Sequence, residues 1–533
     1  MLPLASLDSR HTLDKFLADI CETDPQNEMT RIQQSKGSLL RECHSWIIQS
    51  LELETWQTCN DPRLLWMKGG PGKGKTMAMI SLVDMLTDQI KVDCRGSLCY
   101  FFCQTSIPHL NNAASVLRAL IWKLLWTNNN LHKYIPDEYK CKRDQGREVF
   151  DSPNAVAMLT TMLSAMLRDT TLGTVFVLID AVDECDNGMH DFLEWVIDQS
   201  SDPSSRAKWL LSSRHSPEIE DYLRPGSHKI CLSLDSSEAC MSDSVNYFIE
   251  HRVRQIAKRK SFSFADQKAI ETTLKEKAES TFLWVALVCQ RLQATSRRRI
   301  KRELEELPSG LGPLYDRMLR RLEDLTDEDD KYLCKKILRV VIIGLRPLSL
   351  GELRVVAGLQ NNAMNDITQL VELCSSFLVT RGDNVFVVHQ SAKDYFCAGG
   401  GQRLFANGVA NEHNAIFQRL LDIMESRLTR NIYNLQHLGC STEEIERPQP
   451  DPLAPLQYPI TYWVAHLSLY VCQSASNLQV YAGSHDEGRI DNFLKKHFLH
   501  WLEALSLIGH LTHSIRMIKN LEDLLKVKAM IFS

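Results

Sequence analysis

Long hydrophobic runs are missing from this 533-residue chain: Phe282 to Cys289 and Val340 to Leu345 are among the longest. Both fall well below the ~20 residues that a helix needs to cross a bilayer, so no membrane span is expected. Cysteine pairs are missing too. Sixteen cysteines are scattered with no C-x-x-C spacing, several inside apolar segments (Cys99, Cys103, Cys289, Cys374). They read as reduced core thiols of a cytoplasmic protein, and neither Cys43-His44 nor Cys94/Cys99/Cys103 has the spacing of a zinc site. Glycine and proline are sparse at 24 and 18, which excludes collagen-like or low-complexity chains. Charge of one sign is not in excess either. The formal net charge of -5 gives no global reason to bind nucleic acid or an anionic membrane. Met1-Leu-Pro-Leu-Ala-Ser6 lacks a basic region followed by an apolar stretch, so secretion is not expected.

What is present is a multidomain composition with 44% hydrophobic residues, enough for several cores. From about Arg63 to Leu234, short β-rich runs alternate with helical periodicity, which predicts a mostly parallel sheet covered by helices. The predicted strands are Leu64–Lys68, Ser97–Cys103, Thr174–Ile179, Lys208–Leu211 and Lys229–Leu234. A helical insert separates the second from the third, its second helix opening at Ser152 as N-cap with Pro153 at the first position. Beyond Leu234 the pattern is helical from Ser242 to about Leu325, with amphipathic stretches at Val245–Ile256 and Phe282–Leu292. Next, Ser349-Leu-Gly-Glu352 forms a capping box, and Phe377–Arg381 and Val385–His389 flank the turn Gly382-Asp383-Asn384, which predicts a winged helix. A further helical region follows, broken by the proline-rich Pro448–Pro459. The expected domains are therefore an N-terminal helical linker (1–55), a P-loop NTPase core (56–236), a helical domain (237–325), a winged-helix-like domain (326–400) and a C-terminal helical region (401–533).

The strongest motif is Gly69-Gly70-Pro71-Gly72-Lys73-Gly74-Lys75-Thr76, a complete G-x-x-x-x-G-K-T between a strand and a helix. Glycines let backbone N–H groups turn toward phosphates, and the following helix N-terminus adds its free donors. Lys75 is expected to reach the β- and γ-phosphates and Thr76 to offer its hydroxyl to Mg²⁺. An apolar strand ending in a carboxylate should accompany such a loop. Val175-Phe-Val-Leu-Ile-Asp180 supplies it, with Asp180 as a second magnesium-side residue and Asp183 and Glu184 just beyond, placed to polarise an attacking water. Trp209-Leu-Leu-Ser-Ser-Arg214 ends in an arginine that would face the γ-phosphate if its strand lies between the other two.

These three motifs together, with Asp180-Ala-Val-Asp-Glu184 as the telling variant, resemble the NACHT family of STAND P-loop NTPases. Thr23-Asp-Pro25, Ile32–Leu40 with Lys36-Gly37, Leu307–Met318, Arg346-Pro-Leu-Ser-Leu350, Val388–Tyr395 and Phe498–Leu505 look like its fungal, NLR-like members. The likeness covers nearly the whole chain from about residue 20. It implies ATP and ADP with Mg²⁺ as ligands, a switch driven by nucleotide exchange, self-association on activation, slow ATP hydrolysis, and effector or sensor proteins as partners. Fungal non-self recognition, heterokaryon incompatibility or programmed cell death is the implied setting. It also implies that His389 contacts the ADP β-phosphate. Glu279–Ala286 takes the place of the Gly-Leu-Pro-Leu motif of related NTPases, without its proline. Full-length members carry an N-terminal effector and C-terminal repeats, for which the chain is expected to lack room, so a truncated form or a non-switching, constitutively nucleotide-bound scaffold is the alternative. The basic clusters Lys258-Arg-Lys260 and Arg297–Arg302 read as solvated helix faces, and Trp463, Phe498 and Trp501 as packing residues.

Overall fold

The computed structural model describes residues 13–526 apart from 38–39, 62, 94–95, 137–138, 140–149, 151–153, 186–187, 225, 227, 360–361, 437–444, 473–485, 511–514, 516 and 525. The predicted Ser152 cap and Pro153 lie outside these residues. Two compact units divide the chain, Met1–Leu314 and Tyr315–Ser533.

In the first unit five strands form one parallel sheet: β1 (Leu64–Lys68), β2 (Ser97–Phe102), β3 (Val175–Asp180), β4 (Ala207–Ser213) and β5 (Lys229–Ser233), in the order β2-β3-β4-β1-β5. All five were legible as apolar runs because a parallel sheet is covered on both faces, so its strands are hydrophobic throughout. Every residue of β3 is buried. Side chains alternate between two cores: Trp66, Val177, Trp209 and Leu211 enter one, Leu65, Met67, Leu178 and Leu210 the other. Helix α1 (Pro25–Lys36) precedes the sheet, and α2 (Lys75–Asp93) follows β1, sending Met79, Leu82, Val83 and Leu86 into the second core. Helices α3 (Ala113–Thr127) and α4 (Ala155–Leu167) fill the first core with Leu117, Leu120, Leu124 and Leu163. The unit continues through α5 (Met189–Ser201) between β3 and β4, then α6 (Glu238–Lys260), α7 (Phe264–Lys277) and α8 (Phe282–Ala294) after the sheet.

Parallel pairing sets Lys68 of β1 level with Ser213 of β4, and Phe102 of β2 level with Asp180 of β3. The carboxyl ends of the motif-bearing strands therefore finish together, where ligands of open α/β sheets bind.

The second unit includes α9 (Glu328–Ile343), whose N-cap Asp327 accepts from the amides of Asp329 and Asp330. In α10 (Leu350–Val356) the capping box is formed: the Glu352 N–H donates to Ser349 Oγ at 3.1 Å, and the Ser349 N–H to Glu352 Oε2 at 2.9 Å. After α11 (Met364–Leu373) comes the hairpin, β7 (Leu378–Arg381) and β8 (Asn384–Val387), with Gly382 at φ +59° in the turn. The short β6 (Leu348–Ser349) completes a three-stranded sheet, so the unit carries a winged helix. Beyond α12 (Gln390–Tyr395) it is helical through α13 (Val409–Arg427), α14 (Gln457–Cys472) and α15 (Asp486–Leu507). Trp463 lies between Phe417 and Trp501 at centroid distances of 6.3 and 5.5 Å; both tryptophans are fully buried, and Phe498 is half-buried.

Because β4 is the central strand and Leu210 is fully buried in it, Leu210→Ala should destabilise the protein by about 3 kcal/mol through lost burial and a residual cavity. Ser349→Ala, which removes a cap from a half-buried helix start, should cost about 1 kcal/mol. Urea denaturation followed by tryptophan fluorescence and far-ultraviolet circular dichroism checks both, and equal losses would refute this ranking.

Candidate functional site

Strand β1 runs out at Lys68 and the chain turns through Gly69–Gly74 into α2. Two of those glycines are required twice over. Gly72 and Gly74 have φ of +76° and +88°, where L-residues are strained. Any Cβ there would also meet Leu283 Cβ at 2.9 Å and Phe282 Cδ2 at 2.9 Å respectively. The Lys75 ammonium folds back over the loop and donates to the carbonyls of Gly69 at 2.5 Å and Gly70 at 3.0 Å. Burial pushes it below the ordinary lysine range; Asp183 pulls it back up, with Asp180 and Asp235 assisting and Arg214 opposing. The Gly70 N–H donates to Asp235 Oδ2 at 2.9 Å, an oxygen that also lies 2.7 Å from His215 Nε2.

At the tip of β3, Asp180 is 2% exposed. Desolvation raises its carboxyl, and hydrogen bonds from Ser212 and Thr76, with the charges of Lys36 and Lys75, oppose that rise. Ser212 Oγ donates to Asp180 at 2.5 Å and accepts from the Ala181 N–H at 2.9 Å. One hydroxyl on β4 thereby ties down both the carboxylate and the turn after it. Ala181 adopts a left-handed conformation (φ +55°), which swings the chain into the turn Val182–Glu184. Val182 is buried and anchors that turn, leaving Asp183 and Glu184 at its edge. Arg214, at the end of β4, meets them both: its N–H donates to Asp183 Oδ1 at 3.1 Å, its Nε lies 3.3 Å from Asp183 Oδ2, and its Nη2 lies 3.6 Å from Glu184 Oε1. Glu184 Oε2 accepts the Thr105 N–H at 3.2 Å. Burial first, and then the Asp183 charge, push the Glu184 carboxyl up to about 7.

The start of α8 and the segment before it pack on the loop. The Leu283 N–H donates to the Gly72 carbonyl at 3.3 Å, and the Lys73 ammonium to the carbonyls of Glu279 and Ser280, both at 3.1 Å. Glu279 and Ser280 are left-handed at φ +47° and +50°, a local strain that these contacts hold in place. His44, 6% exposed, stacks on Phe282 at 6.1 Å, and its Nε2 is buried with no hydrogen-bond partner among the described residues. Burial lowers that imidazole to about 4, so it is neutral at pH 7.

The structure thus gathers Gly69, Gly70, Gly72, Lys73, Gly74, Lys75, Thr76, Asp180, Asp183, Glu184 and Arg214 at one end of one sheet, and β4 does lie between β3 and β1 as the arginine reading required. Pro71 sits in the turn of the loop. His389 belongs to the second unit, where it is the N-cap of α12: its Nδ1 accepts the Ser391 N–H at 3.1 Å and lies 2.8 Å from Ser391 Oγ. Sequence reading gave no task to Ser212, Asp235, Thr105, His44 or the Lys36 side chain. Ser212 had a signal of its own, a polar residue inside an apolar strand. The others come from segments distant in sequence.

The family described as Nephrocystin 3, N-terminal, matches residues 42–214, a span that ends on Arg214. Vegetative incompatibility protein HET-E-1 of Podospora anserina is 36% identical over 96% of this chain, which spans 38% of that relative's length. Among solved structures, Aeropyrum pernix ORC1 in complex with DNA matches at 14% identity and a TM-score of 0.28, covering 72% of this chain and 96% of that one. Aeropyrum pernix ORC2 in ADPNP–ADP complexes matches at 13% and 0.32, covering 67% and 92%. At such scores the structural likeness is too distant to carry functional meaning. The phosphate loop, the Asp180–Glu184 turn and the likeness along nearly the whole chain to a fungal incompatibility protein agree with the resemblance to the fungal, NLR-like members of the NACHT family of STAND P-loop NTPases.

Proposed function

We propose that the chain binds ATP and ADP over the loop Gly69–Thr76 and acts as a signalling switch, exchanging nucleotide, self-associating and hydrolysing ATP slowly, in fungal non-self recognition or regulated cell death. The observation that carries this reading is the convergence of Lys75, the Thr76–Asp180 pair and the Asp183–Glu184–Arg214 cluster at the aligned strand ends. Thr76 and Asp180 are hydrogen-bonded hard oxygen donors, a set that suits Mg²⁺, which takes few protein ligands and completes its shell with water and phosphate. Bound there, Mg²⁺ would offset the charge of the β- and γ-phosphates.

The chain's own groups divide the remaining work. Loop amides and the α2 N-terminus bind phosphate oxygens, and Lys75 exchanges its loop carbonyls for them. In hydrolysis a water oxygen bonds to the γ-phosphorus as the bond to the diphosphate oxygen breaks. The water proton passes to Glu184 and on to solvent, leaving ADP and phosphate. Glu184 suits this because its carboxyl, held near 7, can take and release a proton at working pH. Arg214 is positioned by Asp183 to face the transferred group. Switching is supported by how many contacts a nucleotide must displace: Lys75 on carbonyls, Gly70 on Asp235 and Arg214 on two acids. Moving such an equilibrium from 1:99 to 99:1 needs about 5.5 kcal/mol of differential affinity between the two states.

Lys75→Ala should weaken binding of a fluorescent ATP analogue at least about a hundredfold, since a charge-assisted anchor is lost from a water-poor loop. Undiminished binding would sink the phosphate-loop assignment. Single-turnover hydrolysis should rise with pH through about 7, as Glu184 ionises and becomes able to accept a proton. Glu184→Gln should keep nucleotide affinity within about twofold, abolish that pH limb and slow hydrolysis about a hundredfold or more. A pH profile that the variant leaves unchanged would remove Glu184 from the proton-accepting role.

A further inference from the structure

Helix α1 lies outside the phosphate-loop motifs, yet its placement gives its last residue a position in the site. Asp24 caps it, its side chain accepting the Gln26 N–H at 2.9 Å, and Pro25 stands at the first position. Near its start, Gln26 Oε1 accepts from the Tyr100 hydroxyl at 2.7 Å, in the body of β2. Five residues on, Arg31 donates to Gln104 Oε1 at 2.6 Å, just past the carboxyl end of the same strand. The helix therefore runs alongside β2 toward the carboxyl edge of the sheet. Another five residues advance it about 7.5 Å, at 1.5 Å per residue, so Lys36 lies beyond that edge. β2 pairs with β3, with Phe102 level with Asp180, and the Thr105 N–H binds Glu184, so the edge in question is that of the acidic turn.

The end of the helix is fastened in place. The Gly37 N–H donates to the Gln33 carbonyl at 2.9 Å, and Gly37 has φ +94°. Arg252 of α6 donates through Nη2 to the Lys36 carbonyl at 3.3 Å, and a Cβ on Gly37 would come within 2.7 Å of that nitrogen. Lys36 is exposed, yet enough protein surrounds its ammonium to push it below the usual lysine range, and the charges that pull it back are Asp180 first and then Glu184, with Arg31 opposing. These are the two carboxylates assigned above to the magnesium side and to the attacking water.

We propose that Lys36 supplies a second ammonium to the terminal phosphate of a bound nucleoside triphosphate, carried to the strand ends by the helix that precedes the sheet. Lys75 approaches along the loop on the β1 side; Lys36 approaches from the β2 edge, on the side of the acidic turn. The contact is made to the γ-phosphate, so it distinguishes triphosphate from diphosphate and strengthens as charge develops in hydrolysis. The inference rests on the nucleotide-switch reading above.

Calorimetric titration with ADP and with a β,γ-imido ATP analogue, both with Mg²⁺, tests it on Lys36→Gln, Lys36→Arg and Lys75→Ala, beside single-turnover hydrolysis. Lys36→Gln should leave ADP affinity within about twofold while lowering analogue affinity and hydrolysis about ten- to a hundredfold, the range for a lost charge-assisted hydrogen bond. Lys36→Arg should restore most of both. Equal losses for the two nucleotides would reduce Lys36 to a counter-ion that supports the fold, and overturn the proposal. Unaltered triphosphate preference in Lys36→Gln, while Lys75→Ala still loses both nucleotides, would overturn this inference alone. A wild-type chain that binds neither nucleotide would overturn it together with the switch reading.

Discussion

Three carboxylates, Asp180, Asp183 and Glu184, crowd into five residues at the end of a buried strand, and their mutual repulsion in a water-poor setting is the constraint to which this end of the sheet answers. Left alone, such a cluster would protonate or force the strand end apart. Cations and donors brought from elsewhere prevent that: Arg214 on the neighbouring strand, Lys75 at the start of α2, the Ser212 hydroxyl, the Thr105 amide and Lys36 at the end of α1. The same cluster therefore explains how the folded chain holds itself together here, and it is the feature on which the proposed nucleotide binding rests.

Part of the chain's backbone strain lies at the same place. Ala181 is left-handed at the exit of β3, Glu279 and Ser280 are left-handed above the loop, and Gly72 and Gly74 have positive φ within it. Non-glycine residues in that region cost of order 1 kcal/mol or more each and persist only where their surroundings overdetermine them. Here the overdetermination is specific: Ser212 Oγ takes the Ala181 N–H, and the Lys73 ammonium holds the Glu279 and Ser280 carbonyls. Phe282 fills the space over Gly74, which leaves no room there for a side chain. A loop shaped by neighbours in this way is pre-organised, and the segment before α8 takes part in its conformation.

Likeness to a fungal incompatibility protein gives these contacts a setting but not a pathway, since the chain corresponds to 38% of that relative's length. The second unit follows the same physical logic in another form. A formed capping box, a tight hairpin with Gly382 in its turn and a tryptophan-centred helical core each follow from local sequence signals. His389 has a local task, its Nδ1 taking the Ser391 amide as an N-cap.

Strands, the Ser349–Glu352 capping box, the phosphate loop and the acidic turn were readable from residues alone, because each depends on interactions within a few positions: apolar runs, side chain to nearby amide, glycine at positive φ. The expected range of β1 was met to the residue, and the other four strands shifted by only one or two residues. Strand order was not readable, and it decides whether Arg214 faces the cleft; only the placement of β4 between β3 and β1 puts it there. Nor was the gathering of Lys36, His44, Ser212 and Asp235 toward one end of the sheet, since those residues are brought together from segments up to 199 positions apart by sheet pairing and core packing. Local chemistry is written in the chain one short stretch at a time, whereas the electrostatics of a site belong to whatever the packed interior brings within a few ångströms.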